Sequence, residues 1–204
     1  MGNTVLYMSM SLDGFVAGPN VSDENGLGDG GMRLHEWLFP TEGDVNEQVV
    51  AEFLATGAVV AGRGTFEPAG GWDGDHHAGV PIWVLSRRPR PAWTDHWPAV
   101  HYTDDVRVAF DAARSAAGDG DVLVHGAATA QRAIAAGLLD EVEIHLVPVL
   151  LGEGLRLFEH LGSVERQLER VRVLLGEGGV THLRYRIRYG TGAVDGTGAV
   201  DETP

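Results

Sequence analysis

Three short, uninterrupted apolar runs constrain the fold of this chain more than any other feature. They cover residues 58–61, 82–85 and 122–124. A strand that is buried on both faces is apolar along its whole length, and such strands are typical of parallel sheets covered by helices. The runs therefore predict a largely parallel sheet in an α/β protein.

A polar, glycine- or arginine-containing turn follows each run. The turns are Gly62-Arg63-Gly64-Thr65, Ser86-Arg87-Arg88 and His125-Gly126-Ala127-Ala128. Ligands of open α/β sheets bind beyond the carboxyl ends of the strands, so we expect these turns to meet at one edge. Arginine offers paired donors to phosphate, and Thr65 and Ser86 offer neutral ones. For any single arginine, a solvated surface charge is the alternative.

The third turn continues into an amphipathic helix, within a segment that runs from Gly120 to Glu141. Thr129 is a plausible N-cap, and apolar residues then recur at helical spacing. A helix N-terminus with a glycine before it can receive phosphate or pyrophosphate, because its N–H groups are unpaired and its dipole is positive there. The alternative is a turn whose small residues serve packing only.

The composition of the chain restricts the functions that it can have. The chain has 204 residues and 44% apolar content, which fits one domain over residues 1–189, and the repetitive tail 190–204 is expected to be disordered. All fifteen basic residues are arginine, so a Schiff-base lysine is excluded. The net charge of −14 argues against nucleic acid or anionic membrane as a partner. The lack of cysteine and of long apolar runs fits a cytoplasmic protein.

Other segments have clear periodicities. We predict a strand at 4–10, helices at 45–56 and 106–117, and a hairpin with strands at 168–175 and 180–189 whose outer face carries several arginines. Residues 141–147 alternate, which places Glu141, Glu143 and His145 on the outer side and makes His145 a surface residue. Residues 19–31 are rich in Gly, Asp and Asn, as in a loop that acts as a lid.

Three further positions carry possible chemistry. Asp13 precedes Gly14 at the end of the first strand, where its carboxylate either acts in a site or only forms the turn. Trp37 is a core anchor or a pocket wall. His76 and His77 lie in a Gly- and Asp-rich loop, but no regular spacing there fixes the geometry of a metal site.

Five segments, in order, resemble the dihydrofolate reductase superfamily, and they are most similar to the branch shared with the reductase domain of riboflavin biosynthesis. The resemblance covers roughly residues 1–189. The segments are Ser11-Leu-Asp-Gly-Phe-Val-Ala-Gly18, Gly62-Arg-Gly-Thr-Phe-Glu67, Val84-Leu-Ser-Arg87, His125-Gly-Ala-Ala-Thr129 and the stretch from Gly137 to Gly152.

The resemblance implies a twisted, mostly parallel sheet flanked by helices with an antiparallel C-terminal hairpin, a homodimer, and NADPH as cofactor. Its implied cofactor contacts fall into four groups: Gly62, Arg63 and Thr65 at the phosphates, Ser86 and Arg87 at the 2′-phosphate, Gly126, Ala127, Ala128 and Thr129 at the pyrophosphate, and Val16, Ala17 and Gly18 near the nicotinamide. Ala127 departs from the second glycine that the family often has.

The substrate is expected to differ from dihydrofolate. Folate-reducing members use an acidic residue on the first helix, and the matching position falls near Asn46, which cannot serve as that acid. Asp13 is then the best candidate for a substrate contact or proton relay, with Trp37 and Asn46 as further substrate-binding candidates. We expect NADPH-dependent reduction of a small, heterocyclic C=N or C=O compound. The alternative is a non-catalytic nucleotide- or pterin-binding protein of the same fold.

Overall fold

The computed structural model describes residues 2–22, 24–39, 44–162 and 165–189. The predicted tail disorder therefore concerns residues outside the described part. The strands are β1 Thr4–Ser11, β2 Phe15–Ala17, β3 Ala58–Gly62, β4 Ile82–Leu85, β5 Val100–Thr103, β6 Val122–His125, β7 Glu141–Val147, β8 Leu155–Arg156, β9 Gln167–Leu175 and β10 Thr181–Arg188. The α-helices are α1 Val45–Leu54, α2 Arg63–Phe66, α3 Val106–Ala117 and α4 Ala127–Ala136.

Within the described residues, eight strands form one sheet in the order β5-β4-β3-β6-β1-β7-β10-β9. The first six are mutually parallel, and β10 runs antiparallel to both β7 and β9. The short strands β2 and β8 pair separately. The predicted fold, a mostly parallel sheet with an antiparallel C-terminal hairpin, is confirmed.

The three apolar runs are adjacent strands, with β3 between β4 and β6. Helix α3 has the predicted bounds, whereas α1 ends two residues earlier than predicted. Strand β5 was not predicted, because only Val100 in it is buried and the apolar signal is correspondingly weak. A 3₁₀ helix, Gly31–Leu38, stands where the end of a loop was expected.

Helical layers cover both faces of the sheet. On one face, Phe110 of α3 and Ile134 of α4 pack with Leu6 and Val60. On the other face, Tyr7 packs with Phe66, and Phe53 of α1 lies against the same cluster. The candidate site opens on this second face, which we call the α1 face.

The predicted surface position of His145 is wrong. Strand β7 lies between β1 and β10, and Glu141, Glu143 and His145 are all buried, at 2%, 0% and 3% exposure. The alternation of polar and apolar residues is present, but both faces of this strand are covered. The polar face is buried because charged partners from the hairpin lie over it.

Those partners are the hairpin arginines, which were expected on a wet outer face. Arg184 Nε donates to Glu141 Oε2 at 2.6 Å, and Arg172 Nη2 donates to Glu143 Oε1 at 2.8 Å. Arg172 also donates to both carboxylate oxygens of Glu52 on α1. These ion pairs join the hairpin to the α1 face and leave these two arginines engaged within the protein.

Candidate functional site

A cavity of about 580 Å³ lies on the α1 face, at the carboxyl ends of β1, β6 and β7. Aromatic rings and imidazoles from several elements contribute to its lining. The lining includes Tyr7, Ser9, His35, Trp37, Phe53, Trp72, His76, His125 and His145. Two of the three turns expected to meet at one sheet edge line it, the first through Gly64 and Thr65 and the other through Gly126 and Ala127, so this cavity is the candidate active site.

The glycine-rich loop 19–31 forms one wall of the cavity. Gly18 N donates to Leu27 O at 2.9 Å, and Asp29 N donates to Pro19 O at 2.8 Å. The Asn25 amide donates to the Asp29 carboxylate at 3.0 Å. These hydrogen bonds hold the loop folded over the site, where a lid has to lie. Opening and closing of this loop stays a prediction.

Four imidazoles line the cavity, from His35, His76, His125 and His145. Burial lowers the pKa of all four: to about 3 for His76, to about 4 for His125, and well below the ordinary value for His145. Neighbouring imidazoles lower the pKa of His76 further. At neutral pH these rings are uncharged, and the cavity wall is polar without being cationic.

Two chains of ring nitrogens lead away from the cavity. In the first, His125 Nδ1 lies 3.0 Å from Tyr7 O, and His125 Nε2 lies 3.2 Å from His76 Nε2. The chain continues from His76 Nδ1 to His77 Nδ1 at 2.7 Å and from His77 Nε2 to Thr56 O at 2.9 Å.

The second chain starts at His145. Its Nδ1 lies 2.9 Å from His182 Nδ1, and His182 Nε2 lies 2.9 Å from Asn46 Oδ1. Sequence reasoning missed His145 and did not single out His125. The row of hairpin arginines could have indicated that the polar face of β7 is buried. These arginines need acidic partners, and Glu141 and Glu143 on that face are such partners.

The predicted substrate-binding residues are separated. Trp37 is 7% exposed, lines the cavity and donates from Nε1 to Ser9 Oγ at 2.8 Å, so it is both core and wall. Asn46 is buried behind it and donates to Glu177 O at 3.3 Å, outside the cavity lining. Asn46 therefore reaches the site only through His182 and His145.

Asp13 also lies outside the cavity lining. Its carboxylate accepts from Ser11 Oγ at 2.6 Å and from the backbone of Gly152 and Leu151 at 2.7 and 3.2 Å. The Ser11 hydrogen bond, with the backbone donors, lowers the pKa of Asp13 despite some desolvation. These contacts fit the turn-forming alternative, and a catalytic role for Asp13 stays a prediction.

The N-terminus of α4 adjoins the cavity. Its N-cap is Gly126, with φ of 95°, and the helix begins at Ala127, so the prediction of Thr129 as N-cap is wrong. Thr129 is instead the third helical residue and 1% exposed, and among the described residues its Oγ1 has no hydrogen-bond partner. Gly126 and Ala127 line the cavity, whereas Ala128 is exposed.

Two of the predicted turns meet closely at this helix. A Cβ on Gly126 would lie 2.5 Å from Thr65 Oγ1, and a Cβ on Gly62 would lie 2.9 Å from Thr129 Oγ1. Any side chain on either glycine would therefore block the approach between the turns. Val16, Ala17 and Thr65 also line the cavity, and Gly18 is buried beside them.

The third turn forms a second cavity of about 450 Å³, whose lining includes Ser86, Arg87, Arg88 and Arg90. Arg87 and Arg88 are exposed, and within the described ranges their side chains make no hydrogen bond or ion pair. Arg63 is engaged, because its Nε pairs with Glu67 at 2.7 Å and its Nη1 donates to Ser86 Oγ at 3.2 Å. Arg63 thus links α2 to this turn.

Comparison with known protein families gives a match over nearly the whole fold. The profile described as the RibD C-terminal domain matches residues 4–181. The chain belongs to the RibD C-terminal domain family. This membership agrees with the resemblance drawn from the five sequence segments. No curated protein matches the sequence.

Solved structures share the fold. A putative riboflavin biosynthesis protein from Shewanella sp. PV-4 has a TM-score of 0.70 at 23% identity, over 92% of this chain and 99% of that one. A pyrimidine reductase-like protein from Corynebacterium diphtheriae has a TM-score of 0.59 at 15% identity, over 92% and 93%. Dihydrofolate reductase from Enterococcus faecalis, complexed with NADP(H) and RAB-propyl, has a TM-score of 0.59 at 15% identity, over 92% and 98%.

Among residues 2–22, 24–39, 44–162 and 165–189, no three His, Asp or Glu side chains are grouped so that they could hold a metal ion. No helix in those ranges is long and apolar enough to cross a membrane.

Proposed function

We propose that this protein is an NADPH-dependent reductase that transfers hydride to a C=N or C=O bond of a small heterocycle. One observation carries the proposal: Gly126 and Ala127, at the open N-terminus of α4, line the same cavity as the aromatic and imidazole side chains. A cofactor whose pyrophosphate lies at this helix end can therefore extend its reactive end toward a compound in the cavity.

The residues present fit NADPH. The N–H groups at the start of α4 suit a pyrophosphate, because no side chain caps this helix end. Thr129 belongs to the same helical turn, and its buried Oγ1, which has no hydrogen-bond partner among the described residues, lies outside the cavity lining. The unpaired guanidinium of Arg87, with Arg88 and Ser86 beside it, suits a 2′-phosphate. Val16 and Ala17 would lie near the nicotinamide.

When bound, the reduced nicotinamide supplies a hydride. The protein's part is to hold a planar acceptor against it, and the rings of Trp37, Trp72 and Phe53 provide flat apolar surfaces that orient the acceptor. The proton for the acceptor comes from a water molecule in this proposal, because the cavity imidazoles are neutral and Asp13 lies outside the lining.

The family and the structural relatives support an oxidoreductase. The printed descriptions of relatives include a pyrimidine reductase-like protein and a dihydrofolate reductase. Dihydrofolate itself is a poor candidate here, because Asn46 replaces the acid and does not reach the cavity. We further propose a cytoplasmic homodimer, for which the exposed apolar side chains Val171, Val173 and Leu175 of β9 would provide contacts.

A second candidate is a binding protein of the same fold that holds a nucleotide or pterin without turnover. The buried Ala127 methyl group at the start of α4 favours it, because this group narrows the space for a pyrophosphate. Steady oxidation of NADPH with any member of a heterocycle panel would eliminate this candidate.

The test is calorimetric titration with NADPH and NADH, on the wild-type protein and on Arg87→Ala. We expect NADPH to bind about tenfold or more tightly than NADH, because one charged contact to the 2′-phosphate is worth about 1.4 kcal/mol or more. Arg87→Ala should remove the difference. Arg170→Ala, on the exposed strand β9, is the matched control and should keep it. Absence of NADPH binding at millimolar concentration would overturn the proposal.

A further inference from the structure

We propose that the cavity binds an uncharged, planar heterocycle through the N–H groups of that compound, and that it rejects phosphorylated and carboxylated compounds. The inference rests on the proposed function where it calls this compound the hydride acceptor and where it gives the positive end of α4 to the cofactor. The protons that the imidazoles hold and the position of every arginine in the chain support it.

The contacts along the chain His125–His76–His77 determine which ring nitrogens carry a hydrogen. Both ends of this chain face carbonyl oxygens, Tyr7 O and Thr56 O, which only accept hydrogen bonds. His125 Nδ1 and His77 Nε2 must therefore each carry a hydrogen. The Thr56 hydroxyl cannot relieve this requirement, because it donates to Phe53 O at 2.8 Å.

The contact distances locate the remaining hydrogen. When all three rings are neutral they hold three N–H groups, and the chain has four contacts, so one nitrogen–nitrogen contact lacks a hydrogen. The shorter contact, 2.7 Å between His76 Nδ1 and His77 Nδ1, needs the hydrogen, since two bare lone pairs repel at that distance. His76 Nε2 and His125 Nε2, 3.2 Å apart, are then both unprotonated.

The cavity wall therefore presents two lone pairs side by side. Both His76 and His125 line the cavity, so an N–H group of a ligand can approach these nitrogens and supply the missing hydrogen bond. Protonation of His76 would also supply it, but burial and the neighbouring imidazoles hold the pKa of His76 at about 3. At neutral pH a ligand N–H is the donor that fits.

His145 provides a third acceptor by the same logic. Asn46 Nδ2 donates to Glu177 O, so Asn46 Oδ1 accepts and His182 Nε2 carries a hydrogen. Neutral His182 then accepts at Nδ1, which gives His145 the Nδ1–H form and leaves His145 Nε2 as an acceptor. Asn46 thus acts as a positioning residue that fixes the form of His145.

The charge of the cavity lining supports the proposal independently of the proton positions. The chain has no lysine, all fifteen arginines lie within the described residues, and none of them lines the cavity. The imidazoles are neutral, so the lining offers no cation to an anionic ligand. A phosphate or carboxylate placed here would lose its hydration without gaining an ion pair, which costs several kcal/mol or more. The positive end of α4 is already assigned to the cofactor.

The test uses three matched compounds at about pH 7, above the ordinary imidazole pKa of about 6.5. Lumazine is an uncharged planar heterocycle with N–H groups, 1,3-dimethyllumazine lacks the two pyrimidine N–H groups, and 6-carboxylumazine adds a carboxylate. We expect lumazine to bind at least about tenfold more tightly than either of the others, as one lost hydrogen bond implies. Equal binding of lumazine and either relative, or no binding of lumazine at millimolar concentration, overturns the proposal.

Variants and spectroscopy locate the effect. His76→Phe keeps a ring but removes two nitrogens, and it should reduce the preference for lumazine over dimethyllumazine, whereas His160→Asn, whose side chain is 84% exposed, should not. Long-range ¹H–¹⁵N spectra of the wild-type protein should show His125 and His145 protonated at Nδ1 only. An Nε2–H form of either ring overturns the proposal even if a variant fails to fold.

The two proposals fail separately. The spectra and the comparison of lumazine with 1,3-dimethyllumazine require no cofactor, and titration with NADPH requires no heterocycle. Only the comparison with 6-carboxylumazine is made with NADP⁺ present, which occupies the positive end of α4. Selective lumazine binding without NADPH binding would overturn the reductase function and keep the ligand class. NADPH binding with preference for 6-carboxylumazine would keep the reductase function and overturn the ligand class.

Discussion

At the scale of single residues, Thr129 is the clearest link between sequence and proposed function. A hydroxyl that is buried without a partner costs about 1–3 kcal/mol, and the Thr129 hydroxyl has no partner among the described residues. We expect it to serve the proposed cofactor, because its helix begins at the cavity. Thr129→Val has nearly the same shape and removes the hydroxyl. We therefore expect the free protein to gain roughly 1 kcal/mol of unfolding free energy and NADPH to bind about tenfold more weakly.

Urea unfolding and calorimetry measure these two effects. The matched control is Thr4→Val, because Thr4 is also fully buried but donates from Oγ1 to Leu138 O at 2.7 Å. That variant should lose stability and leave NADPH affinity unchanged. A loss of stability in Thr129→Val without any change in NADPH binding would show that the Thr129 hydroxyl serves packing alone.

At the scale of elements, the hairpin β9–β10 is joined to the α1 face by buried ion pairs. Arg172 bonds both Glu52 and Glu143, and Glu143 is fully buried. Removal of Arg172 leaves the buried Glu143 carboxylate with only its longer ion pair to Arg184, at 3.6 Å, so Arg172→Met should reduce the unfolding free energy by about 3 kcal/mol, the low end for breaking a buried pair. Burial already raises the pKa of Glu143, and loss of Arg172 should raise it further.

Urea unfolding of two comparison variants tests this prediction. Arg188→Met breaks an ion pair with Glu169 whose side chains are 57% and 50% exposed, and it should cost less than about 1 kcal/mol. Adding Glu143→Gln to Arg172→Met should recover part of the loss, because the uncompensated charge is gone. Equal losses of unfolding free energy in Arg172→Met and Arg188→Met would contradict the conclusion that the buried ion pairs of Arg172 hold the hairpin to the α1 face.

At the scale of the whole molecule, the buried neutral histidines make stability depend on pH. Their folded pKa values lie below the ordinary value of 6.5, at about 4 for His125 and His182 and well below 6.5 for His145. The unfolded chain therefore binds more protons than the folded protein once the pH falls below 6.5. Stability is greatest above that pH and decreases as the pH falls toward 4.

The expected slope is about 1.4 kcal/mol per pH unit for each proton taken up on unfolding. Urea unfolding between about pH 7 and pH 5 should show this decrease. The window stops near pH 5 because carboxylates such as Glu52, whose pKa is lowered mainly by its hydrogen bond with Arg172, add to the loss at lower pH. Constant stability across the window would contradict neutral burial of these rings.

The sequence by itself determined the parallel core of the sheet and the edge at which the turns after its strands lie. A strand that is buried on both faces has an apolar residue at every position, so a continuous apolar run identifies it. The three runs correspond to β3, β4 and β6. Helix α3 followed from its periodicity for the same reason. The turns after the strands met as expected, since parallel strands bring their carboxyl ends to one edge.

Only the tertiary structure decided which polar side chains are buried. The alternation in β7 is the same whether water or arginines cover its polar face, so His145 was wrongly placed at the surface. From the sequence, Asn46 and Asp13 were predicted to be residues of the site. In the structure, the hydrogen bonds of both side chains hold them away from it. Burial of a polar group depends on partners far along the chain, and local patterns contain no information about those partners.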